Sequence, residues 1–494
     1  MATKEIYISV SPGETRIALR ANNRLCTLEI ERESPRRILG NIYMGRVQKI
    51  VHGIQAAFVD IGEKQSGFLA MPEISPESNL ESASSGTKKD RIEDFIHEGD
   101  DVCVQILRDA IADKGPKLST HIKLVGRYVV LAPKSDLILI SRRIKDAERQ
   151  QLEGFIENNR SKNEGYIIRT AATAATEKNI LGDMKVLQGQ WQVIQDQSTS
   201  ASIPSCIHTD LSSDLRLIRD NVDTGLSKIV VDDPQRFNEI TKLCEKSFPN
   251  LMNCIENYSD KLPLFDANNL EEEIETALAP QVNLSSGARI FIEETAALTA
   301  VDVDTASASR SGRLEDVALD SNLAAAVEIA QQLRLRNIGG YVVIDFVPMK
   351  NKQNQERVLT ALRKQFHDDP CPTFIGGYTR LGKVELNRQR QRESLAEIML
   401  TNITETGFVQ RPKSSATIAF EALRHVQQAI KSNPGKTFEL KAAPSVVAIL
   451  QSSMAKQGLN QLNEILGGPL VMTRQNNVSE YHYEVLAHHG ASRS

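Results

Sequence analysis

The chain has 494 residues, which is enough for several domains rather than a single core. It is 40% hydrophobic and 25% charged, as in ordinary globular proteins, and it contains no apolar run long enough to predict a membrane-spanning helix. Its formal net charge of -4 means that any binding of nucleic acid depends on local basic patches and not on overall charge.

The cysteines and the N-terminus indicate a compartment. Six cysteines are scattered along the chain without a Cys-x-x-Cys pair, which is typical of buried, reduced thiols in a cytosolic protein. The first residues lack the apolar core of a signal peptide. We therefore expect a cytoplasmic protein.

The first strands are expected in residues 3–34, where apolar and polar side chains alternate. Pro12 and Gly13 mark a turn between two such runs, which predicts a β-hairpin. Because a hairpin alone is not stable, we expect it to join a sheet that is completed later in the chain. The apolar run at residues 228–232, within a segment of helices and strands, is its predicted partner.

Residues 38–125 predict a small five-stranded barrel of the OB type. Short strands with glycines at their corners, interrupted by a polar linker at residues 76–90, are predicted at residues 41–47, 54–62, 66–69 and 101–106. Phe58 and Phe68 lie in two of these strands, where aromatic side chains can stack on bases. The alternative is that both are ordinary core residues.

Residues 126–212 carry a candidate phosphate site. Arg169 and Thr170 are adjacent at the end of a predicted strand, where a guanidinium and a hydroxyl can grip a terminal phosphate. The alternative is a solvated arginine beside a turn threonine. The elements predicted in this segment are strands at residues 128–133, 137–141 and 164–172 and a helix at residues 146–159.

The stretch at residues 289–349 is predicted as strand, helix and strand, with carboxylates at both strand ends. Asp302 and Asp304 project from one face of the first strand, because side chains on a strand alternate. The second strand, residues 341–345, is apolar without alternation, which favours burial on both faces of a central or parallel strand. Between them a helix is predicted from the spacing of Leu323, Val327, Ala330 and Leu333, ending at residues 337–340.

Three aspartates, Asp302, Asp304 and Asp345, are therefore candidates for a metal site. A carboxylate at a buried strand is costly unless it is paired or ligates a cation. Carboxylates on neighbouring strands suit a hard cation, most naturally Mg²⁺ or Mn²⁺. The alternative is that these residues cap helices or pair with Arg310 and Arg313.

A basic segment follows the candidate metal site. Residues 373–386 predict a pair of strands, and the cations in and after it are Arg380, Lys383, Arg388, Arg390 and Arg392. Beside a metal site they would hold phosphates, whereas a solvated helix face is the alternative. Residues 405–415 predict a linker. The remaining chain predicts helices at residues 418–431 and 444–457 and strands at residues 437–440 and 469–472.

Several motifs occur together in one order, at residues 38–45, 57–68, 141–143, 168–170, 301–304, 333–340 and 343–346. On these residues the chain resembles the catalytic region of the ribonuclease E/G family of bacterial endoribonucleases. The likeness is close over residues 1–400 and looser in the tail. The strand order of the barrel is close to that of the S1 RNA-binding domain.

The resemblance implies a multidomain α/β (α+β) fold. The expected parts are an RNase H-like subdomain at residues 1–37 and 213–279, an S1 barrel of the OB fold at 38–125, a 5′-phosphate sensor at 126–212, a DNase I-like catalytic subdomain at 280–400, a linker at 401–415 and a small C-terminal α/β domain at 416–494.

The resemblance also implies residue roles. Asp302 and Asp345 match the two aspartates that hold the catalytic Mg²⁺, and Asp304 stands where the family usually has an asparagine. The 5′-monophosphate pocket is expected at Arg169 and Thr170, with Gly126 and Val130 as its backbone neighbours. The residues expected to contact RNA are Phe58, Phe68, Lys114, Arg142, Arg143, Arg380, Lys383, Arg388 and Arg390.

The implied activity is Mg²⁺-dependent cleavage of single-stranded RNA to 5′-phosphate and 3′-hydroxyl ends, in rRNA and tRNA processing and mRNA decay. Mn²⁺ could replace Mg²⁺. The competing hypothesis is a non-catalytic RNA-binding or ribosome-assembly factor that keeps the fold. These hypotheses differ in whether Asp302 and Asp345 are needed for cleavage.

One departure from the family concerns zinc. Family members usually carry a Cys-Pro-x-Cys stretch after the basic segment, through which two subunits share one Zn²⁺. Residues 394–407 contain no cysteine. We therefore expect no zinc, and any homodimer to form without a zinc link.

Overall fold

The computed structural model describes residues 3–32, 37–74, 91–110, 114–222, 225–305, 314–367, 369–390, 392–405 and 408–488. The chain forms two compact units. One comprises Met1–Arg36 together with Thr224–Ser494, and the other is the inserted segment Arg37–Asp223. Each unit is described separately below.

The first unit begins with three antiparallel strands, β1 (Lys4–Ser11), β2 (Glu14–Ala21) and β3 (Arg24–Arg32). Gly13 turns the chain between β1 and β2 with a φ of 76°. Ile6, Ile8 and Ile17 are fully buried, and because Tyr7 and Ala18 are buried too, both faces of β1 and β2 are covered. The predicted hairpin is thus confirmed, with a third strand added to it.

The inserted unit begins with a closed five-stranded barrel, which confirms the prediction for this segment. Each strand pairs with two others in the cycle β4-β5-β6-β8-β7, and β7 returns to β4. The predicted linker at residues 76–90 lies outside the described residues. The barrel strands are β4 (Ile42–Val51), β5 (Ala56–Asp60), β6 (Gly67–Ala70), β7 (Asp101–Arg108) and β8 (Lys117–Ser119).

A second sheet of the inserted unit has the order β11-β12-β10-β9. Its strands are β9 (Leu124–Val125), β10 (Val129–Pro133), β11 (Ile138–Ile140) and β12 (Glu164–Ile168). Helix α1 (Asp146–Asn159) connects β11 to β12. Helix α2 (Glu177–Ser200), which we did not predict, begins at the Thr176 cap and joins this sheet's hydrophobic core through Met184 and Leu187.

The inserted unit ends with strand β13 (Ser205–His208), which pairs with β4, and helix α3 (Ser213–Asn221). Residues 213–223 are expected from the resemblance in the RNase H-like part, but they belong to the inserted unit. The physical reason is that Arg219 donates to the backbone oxygen of Val125 at 2.8 Å, which ties α3 to the second sheet.

The first unit then resumes with β14 (Leu226–Val231), α4 (Pro234–Ser247), β15 (Ile255–Asn257), α5 (Leu264–Ala267) and α6 (Leu270–Leu278). The completed sheet has the order β15-β14-β1-β2-β3, with β14 parallel to both of its neighbours. The predicted pairing of residues 228–232 with the N-terminal hairpin is confirmed. A sheet divided by an insertion is the arrangement that the resemblance implies for the RNase H-like part.

A six-stranded sheet follows, with the order β16-β17-β18-β19-β21-β20. Its strands are β16 (Gln281–Asn283), β17 (Arg289–Glu294), β18 (Thr299–Asp304), β19 (Gly340–Asp345), β20 (Thr373–Tyr378) and β21 (Val384–Arg388). The associated helices are α7 (Leu314–Leu335), α8 (Lys352–Phe366) and α9 (Leu395–Met399). The interrupted first strand of the prediction is therefore an antiparallel pair, β17 and β18.

This sheet has one buried face and one open face. Val342 and Ile344 of β19 are fully buried in a core shared with α7 and α8, whereas Tyr341 is 41% exposed. The prediction that this strand is buried on both faces is wrong, because its odd-numbered residues lie on the open face. Val327 is also exposed and lies off the buried face of α7, although the periodicity placed it there.

The C-terminal module contains α10 (Ser415–Ser432), β24 (Thr437–Ala442), α11 (Pro444–Gln451), α12 (Lys456–Leu466), β25 (Val471–Arg474) and β26 (Tyr483–His488). The helix predicted at residues 444–457 is two helices, and β26 was not predicted. The predicted linker contains two short paired strands, β22 (Ile403–Glu405) and β23 (Phe408–Gln410).

Among the described residues, no helix has both the length and the apolar character needed to cross a bilayer. All six cysteines are free thiols. Only Cys244 is buried and Cys206 is exposed, so the expectation of free thiols holds while that of general burial is wrong.

Candidate metal centre and phosphate pocket

The candidate metal residues lie in one row across the open face of the six-stranded sheet. Strands β18 and β19 are parallel, and Asp302 pairs directly with Asp345 in their register. Phe291 of β17 is the antiparallel partner of Asp302 on the other side. Because Ile344 pairs with Val384 of β21, the preceding residue, Lys383, faces Asp345. The fold thus brings two carboxylates together at the carboxyl ends of two adjacent strands.

Two of the three aspartates have basic partners. The Lys383 ammonium donates to Oδ2 of Asp345. Arg289 donates from Nη2 to Oδ2 of Asp304 at 2.5 Å. Both pairs are partly open to solvent. Arg310 and Arg313, the alternative partners considered from the sequence, lie outside the described residues.

Asp302 is repelled by the carboxylates of both other aspartates, Asp345 and Asp304. Asp302 is exposed, but partial loss of hydration at its carboxyl raises its pKa, and the carboxylates of Asp345 and Asp304 raise this pKa further. The Lys383 ammonium opposes them in part. A cation bound between Asp302 and Asp345 would relieve this repulsion.

The donor set suits Mg²⁺ better than a cation that needs a complete cage of protein ligands. Within the part of the chain that the structure describes, no three His, Cys, Asp or Glu side chains form a group that could hold a metal. Mg²⁺ does not require one, because it keeps several waters and is usually bound by one or two carboxylates together with phosphate oxygens. Asp302 and Asp345 supply such a pair.

Two residues that sequence analysis missed hold the loop after Asp345. Asn322 of α7 is buried and clamps Val347, donating to its oxygen at 2.8 Å and accepting from its nitrogen at 3.0 Å. Glu315 accepts from the backbone nitrogens of Lys350 and Asn351 at 3.1 and 3.0 Å. A polar residue on the buried side of an apolar helix is the signal that could have identified Asn322.

The predicted RNA contact at Arg388 is wrong. Its side chain is 3% exposed and donates to both oxygens of Asp369, at 2.7 and 3.1 Å, and to the oxygen of Ile338 at 2.8 Å. Val384, Leu386 and Arg388 share the buried face of β21. Arg388 therefore holds the sheet to the chain that leads into β19.

The rest of the basic segment is largely neutralised by carboxylates. Arg390 pairs with Glu397, and Arg392 donates to Glu29 at 2.8 Å. Arg380 is exposed near the tip of the turn between β20 and β21. Of the cations predicted to hold phosphates, Arg380 and Lys383 are those that lie in the turn next to Asp345.

In the inserted unit, Arg169 and Thr170 follow the end of β12. Arg169 donates from Nη1 to the oxygen of Gly126 at 2.5 Å and from Nη2 to Oδ1 of Asp220 at 2.8 Å. The Thr170 hydroxyl lies 3.0 Å from that of Ser141. Arg169 and Thr170 are adjacent in the chain, and the Thr170 hydroxyl has a second hydroxyl beside it; a guanidinium and hydroxyls are groups that can bind a terminal phosphate.

Asp220 was not found from the sequence. Burial raises the pKa of its carboxyl, but Arg219 and Arg169 outweigh burial and leave the pKa lowered. Asp220 therefore stays ionised and fixes the position of Arg169. Arg219 donates to it from Nε at 3.0 Å.

The backbone around the pocket is held by Asp183, which accepts from the nitrogens of Tyr128 and Val129 at 2.8 and 3.1 Å. Only glycine fits at position 126, because a Cβ there would lie 2.5 Å from Oδ2 of Asp183. Val130 lies in β10, with its backbone paired to β9 and β12. The structure places Gly126 against Arg169, while Val130 is part of the supporting sheet.

The barrel presents an aromatic pair. Phe58 of β5 and Phe68 of β6 are register partners, with ring centroids 6.0 Å apart in an edge-to-face arrangement. Phe58 is 37% exposed, so part of its ring is accessible to solvent. Lys114, Arg142 and Arg143 are exposed in the same unit.

Comparison with known families agrees with these features. Residues 38–120 match the S1 RNA binding domain, and residues 123–391 match the Ribonuclease E/G family. The two matches cover the barrel, the phosphate pocket and the row that contains Asp302 and Asp345. The fold class expected from the sequence, a multidomain α+β protein with an S1 barrel, is confirmed.

Individual relatives align over most of the chain. Ribonuclease G of Haemophilus influenzae is 32% identical over 470 residues, which cover 94% of this chain and 96% of that protein. Ribonuclease G of Escherichia coli K12 is 32% identical over 453 residues, 91% of this chain and 92% of that protein. Ribonuclease E of Haemophilus influenzae is 35% identical over 386 residues, 78% of this chain but 41% of that protein. The chain belongs to the ribonuclease E/G family.

Proposed function

We propose that this protein is a Mg²⁺-dependent endoribonuclease that cuts single-stranded RNA and leaves 5′-phosphate and 3′-hydroxyl ends. The enzyme class follows from the family, since its relatives are named Ribonuclease G and Ribonuclease E. The observation that carries the metal assignment is the direct pairing of Asp302 with Asp345 on parallel strands.

Asp302 and Asp345 would hold the cation, which when bound would activate water and offset charge on the scissile phosphate. Both side chains lie at strand ends on the open face of the sheet, and a phosphodiester would approach them from that face. In this proposal water attacks the phosphorus and the bond between phosphorus and the 3′ oxygen breaks, so the ribose 2′-hydroxyl is not consumed. The 3′ oxygen leaves, takes up a proton and becomes the 3′-hydroxyl of one product, and the phosphate stays on the 5′ oxygen of the other.

RNA binding is assigned to the barrel and to the exposed cations of the inserted unit. Phe58 and Phe68 would stack on unpaired bases, which explains a requirement for single strands. Lys114, Arg142 and Arg143 would follow the phosphates. Arg380 is proposed to do the same beside the metal centre.

Recognition of the substrate's 5′ end is assigned to Arg169 and Thr170. A monophosphate offers terminal oxygens to the guanidinium and hydroxyl, whereas a 5′-hydroxyl end offers none. We infer that 5′-monophosphorylated RNA is preferred. Roles in rRNA and tRNA processing and in mRNA decay, in the cytoplasm, are part of the same proposal.

The decisive experiment is cleavage of a short, 5′-monophosphorylated, A/U-rich single strand with Mg²⁺ and with EDTA. Replacing Asp345 by Asn should abolish cleavage while RNA binding persists, because the cation loses one of its two carboxylates. Asp320→Asn, on the exposed side of α7, is the matched control and should cleave normally. Wild-type protein that binds this RNA without cutting it would favour the non-catalytic RNA-binding factor. Normal cleavage by Asp345→Asn would refute the metal assignment.

A further inference from the structure

The turn between β20 and β21 places a lysine directly beside the proposed metal carboxylates. Lys383 immediately precedes Val384, whose partner in the sheet is Ile344. Lys383 is therefore opposite Asp345, and its ammonium contacts Oδ2 of that residue. Position in the sheet, and not chance contact of a long surface side chain, brings this charge to the site.

The backbone of Lys383 is anchored while its side chain keeps freedom to move. Thr379 donates from its backbone nitrogen to the oxygen of Lys383 at 2.7 Å, and its hydroxyl accepts from the nitrogen of Lys383 at 3.2 Å. Gly382, with a φ of 80°, closes the turn by donating to the oxygen of Thr379 at 3.0 Å. The ammonium can thus change partner without any change in the sheet.

The Lys383 ammonium binds Oδ2 of Asp345, an oxygen atom that a metal ion held by Asp345 could use as a ligand. Both side chains of the Lys383–Asp345 pair are 41% exposed, and ion pairs this open contribute little stability. A divalent cation carries twice the charge of an ammonium and would sit between two carboxylates. The cation can therefore displace the Lys383 ammonium from Asp345 with little loss of free energy.

We propose that Lys383 is a further catalytic residue, which neutralises Asp345 in the metal-free protein, yields that carboxylate to the divalent cation and then contacts the scissile phosphate of the RNA. This inference rests on the proposed function. The displaced ammonium stays within reach of the metal centre because the turn holds its backbone. There it stabilises the negative charge that grows on the phosphate oxygens during displacement.

The first test measures metal binding without RNA. Mn²⁺, detected by electron paramagnetic resonance, is titrated into metal-free wild-type, Lys383→Met and Lys383→Arg proteins. The methionine variant should bind Mn²⁺ about two- to fivefold more tightly, because an exposed ion pair no longer competes. Lys383→Arg should bind like the wild type. Mn²⁺ affinity that is unchanged or weaker in Lys383→Met would overturn the exchange.

Lys228→Met is the matched control for this titration. Lys228 forms a similarly exposed pair with Glu256 at 2.9 Å, in the other sheet of the same unit. Its loss removes one surface ion pair and one positive charge without touching the metal row. If it tightened Mn²⁺ binding as much as Lys383→Met, net charge would explain the effect and the proposal would fail.

The second test measures cleavage at saturating Mg²⁺. Lys383→Met should lower kcat about a hundredfold, the usual loss when one charge-stabilising donor is removed, with little change in KM. Lys383→Arg should restore a substantial part of kcat. Wild-type kcat in Lys383→Met would overturn the phosphate contact. A wild-type protein that does not cleave would overturn the proposed function together with this contact, whereas the Mn²⁺ titration would still decide the exchange.

Discussion

Arg169 is oriented before any phosphate reaches it. Its two terminal nitrogens donate to Asp220 and to the Gly126 oxygen, so its guanidinium plane is fixed on two sides. A side chain that is already ordered loses less conformational entropy when it binds a ligand. This order supports the proposal that Arg169 recognises a particular end group and does not attract RNA in general.

Replacing Arg169 by Ala should selectively remove the preference for 5′-monophosphorylated RNA. A charge-assisted hydrogen bond contributes about 1.5–3 kcal/mol, so the ratio of kcat/KM for 5′-monophosphate over 5′-hydroxyl substrates should fall at least about tenfold. Lys178→Ala, an exposed cation of the same unit, should leave this ratio unchanged. An equal loss on both substrates would instead indicate a structural role for Arg169.

As the pH falls, metal binding should weaken at a higher pH than it would if Asp302 had the pKa of an ordinary aspartate. The pKa of Asp302 is raised above the usual value of about 3.9 by partial loss of hydration and by the carboxylates of Asp345 and Asp304. Protonated Asp302 cannot ligate a cation, so Mn²⁺ affinity should fall as the pH drops through this raised pKa. Asp304→Asn removes one of the repelling carboxylates and should move the loss to lower pH.

Titrating Mn²⁺ into the wild type and Asp304→Asn across a pH series checks this. Affinities at neutral pH should be similar if Arg289 keeps Asp304 engaged, as their 2.5 Å contact indicates. A large loss of affinity in Asp304→Asn at every pH would contradict the prediction. It would make Asp304 a direct ligand of the cation.

Among the structural elements, the β1–β2 hairpin makes a set of polar contacts with the C-terminal module. Glu14 is buried and accepts from Arg32 Nε at 2.9 Å and from Arg424 of α10 at 2.5 Å. The nitrogen of Gly13 donates to Gln461 of α12 at 3.0 Å. One turn of the N-terminal sheet is therefore joined to two C-terminal helices by polar contacts.

Glu14→Gln should destabilise the first unit by about 3 kcal/mol at neutral pH, since it leaves the half-buried Arg32 and Arg424 without their buried carboxylate partner. Burial alone raises the pKa of Glu14, but Arg424, Arg32 and Arg16 leave it lowered on balance. Because the pKa of Glu14 is lower in the folded state, its ionised carboxylate stabilises the folded protein at pH values above the unfolded pKa of about 4.3. This stabilisation is lost as the pH falls through the folded pKa. Urea unfolding should therefore show a smaller difference in unfolding free energy between wild type and Glu14→Gln in acid than at pH 7.

The exposed Glu464→Gln of α12 serves as control and should change stability little at either pH. A deficit for Glu14→Gln that is the same in acid as at neutral pH would mean that packing, and not the ionised carboxylate, holds the hairpin to the C-terminal module.

Elements also show how far the sequence could predict the fold and the site. Period-two alternation located β1, β2 and β18 correctly, and the adjacency of Asp302 and Asp345 follows once β18 and β19 are parallel neighbours. The same alternation puts Arg388 on the buried face of β21 with Val384 and Leu386. The prediction of an RNA contact instead followed the run of basic residues around it. The partners Asp369 and Asp220 could not be inferred, because they reach Arg388 and Arg169 through tertiary packing across distant segments.

At the scale of the whole molecule, a net charge of -4 must be reconciled with RNA binding. Electrostatic attraction has to come from local cations such as Arg142 and Arg143, which are exposed in the inserted unit. Binding should then weaken with salt in proportion to the number of phosphates contacted, with a logarithmic slope of about -0.7 per contact for a single strand.

The double variant Arg142→Ala/Arg143→Ala should reduce the magnitude of this slope by about 1.4 if each arginine contacts one phosphate. The slope is measured by fluorescence anisotropy of a 5′-hydroxyl RNA over a series of salt concentrations. EDTA is present so that the RNA is not cleaved. Lys178→Ala/Lys185→Ala removes two exposed charges from α2 and should keep the wild-type slope. An unchanged slope in the arginine variant would place these residues away from the RNA.

The divided sheet has a consequence for synthesis on the ribosome. Strand β1 emerges early, but β14, its parallel neighbour, follows only after the whole inserted unit, and the Ser9–Asp232 hydrogen bond joins residues 223 positions apart. The nascent chain must keep the β1 edge unpaired while the insertion is translated. An unpaired edge can recruit a strand from another chain. A message truncated before codon 226 would therefore release a product with this edge permanently open, prone to aggregate rather than to fold.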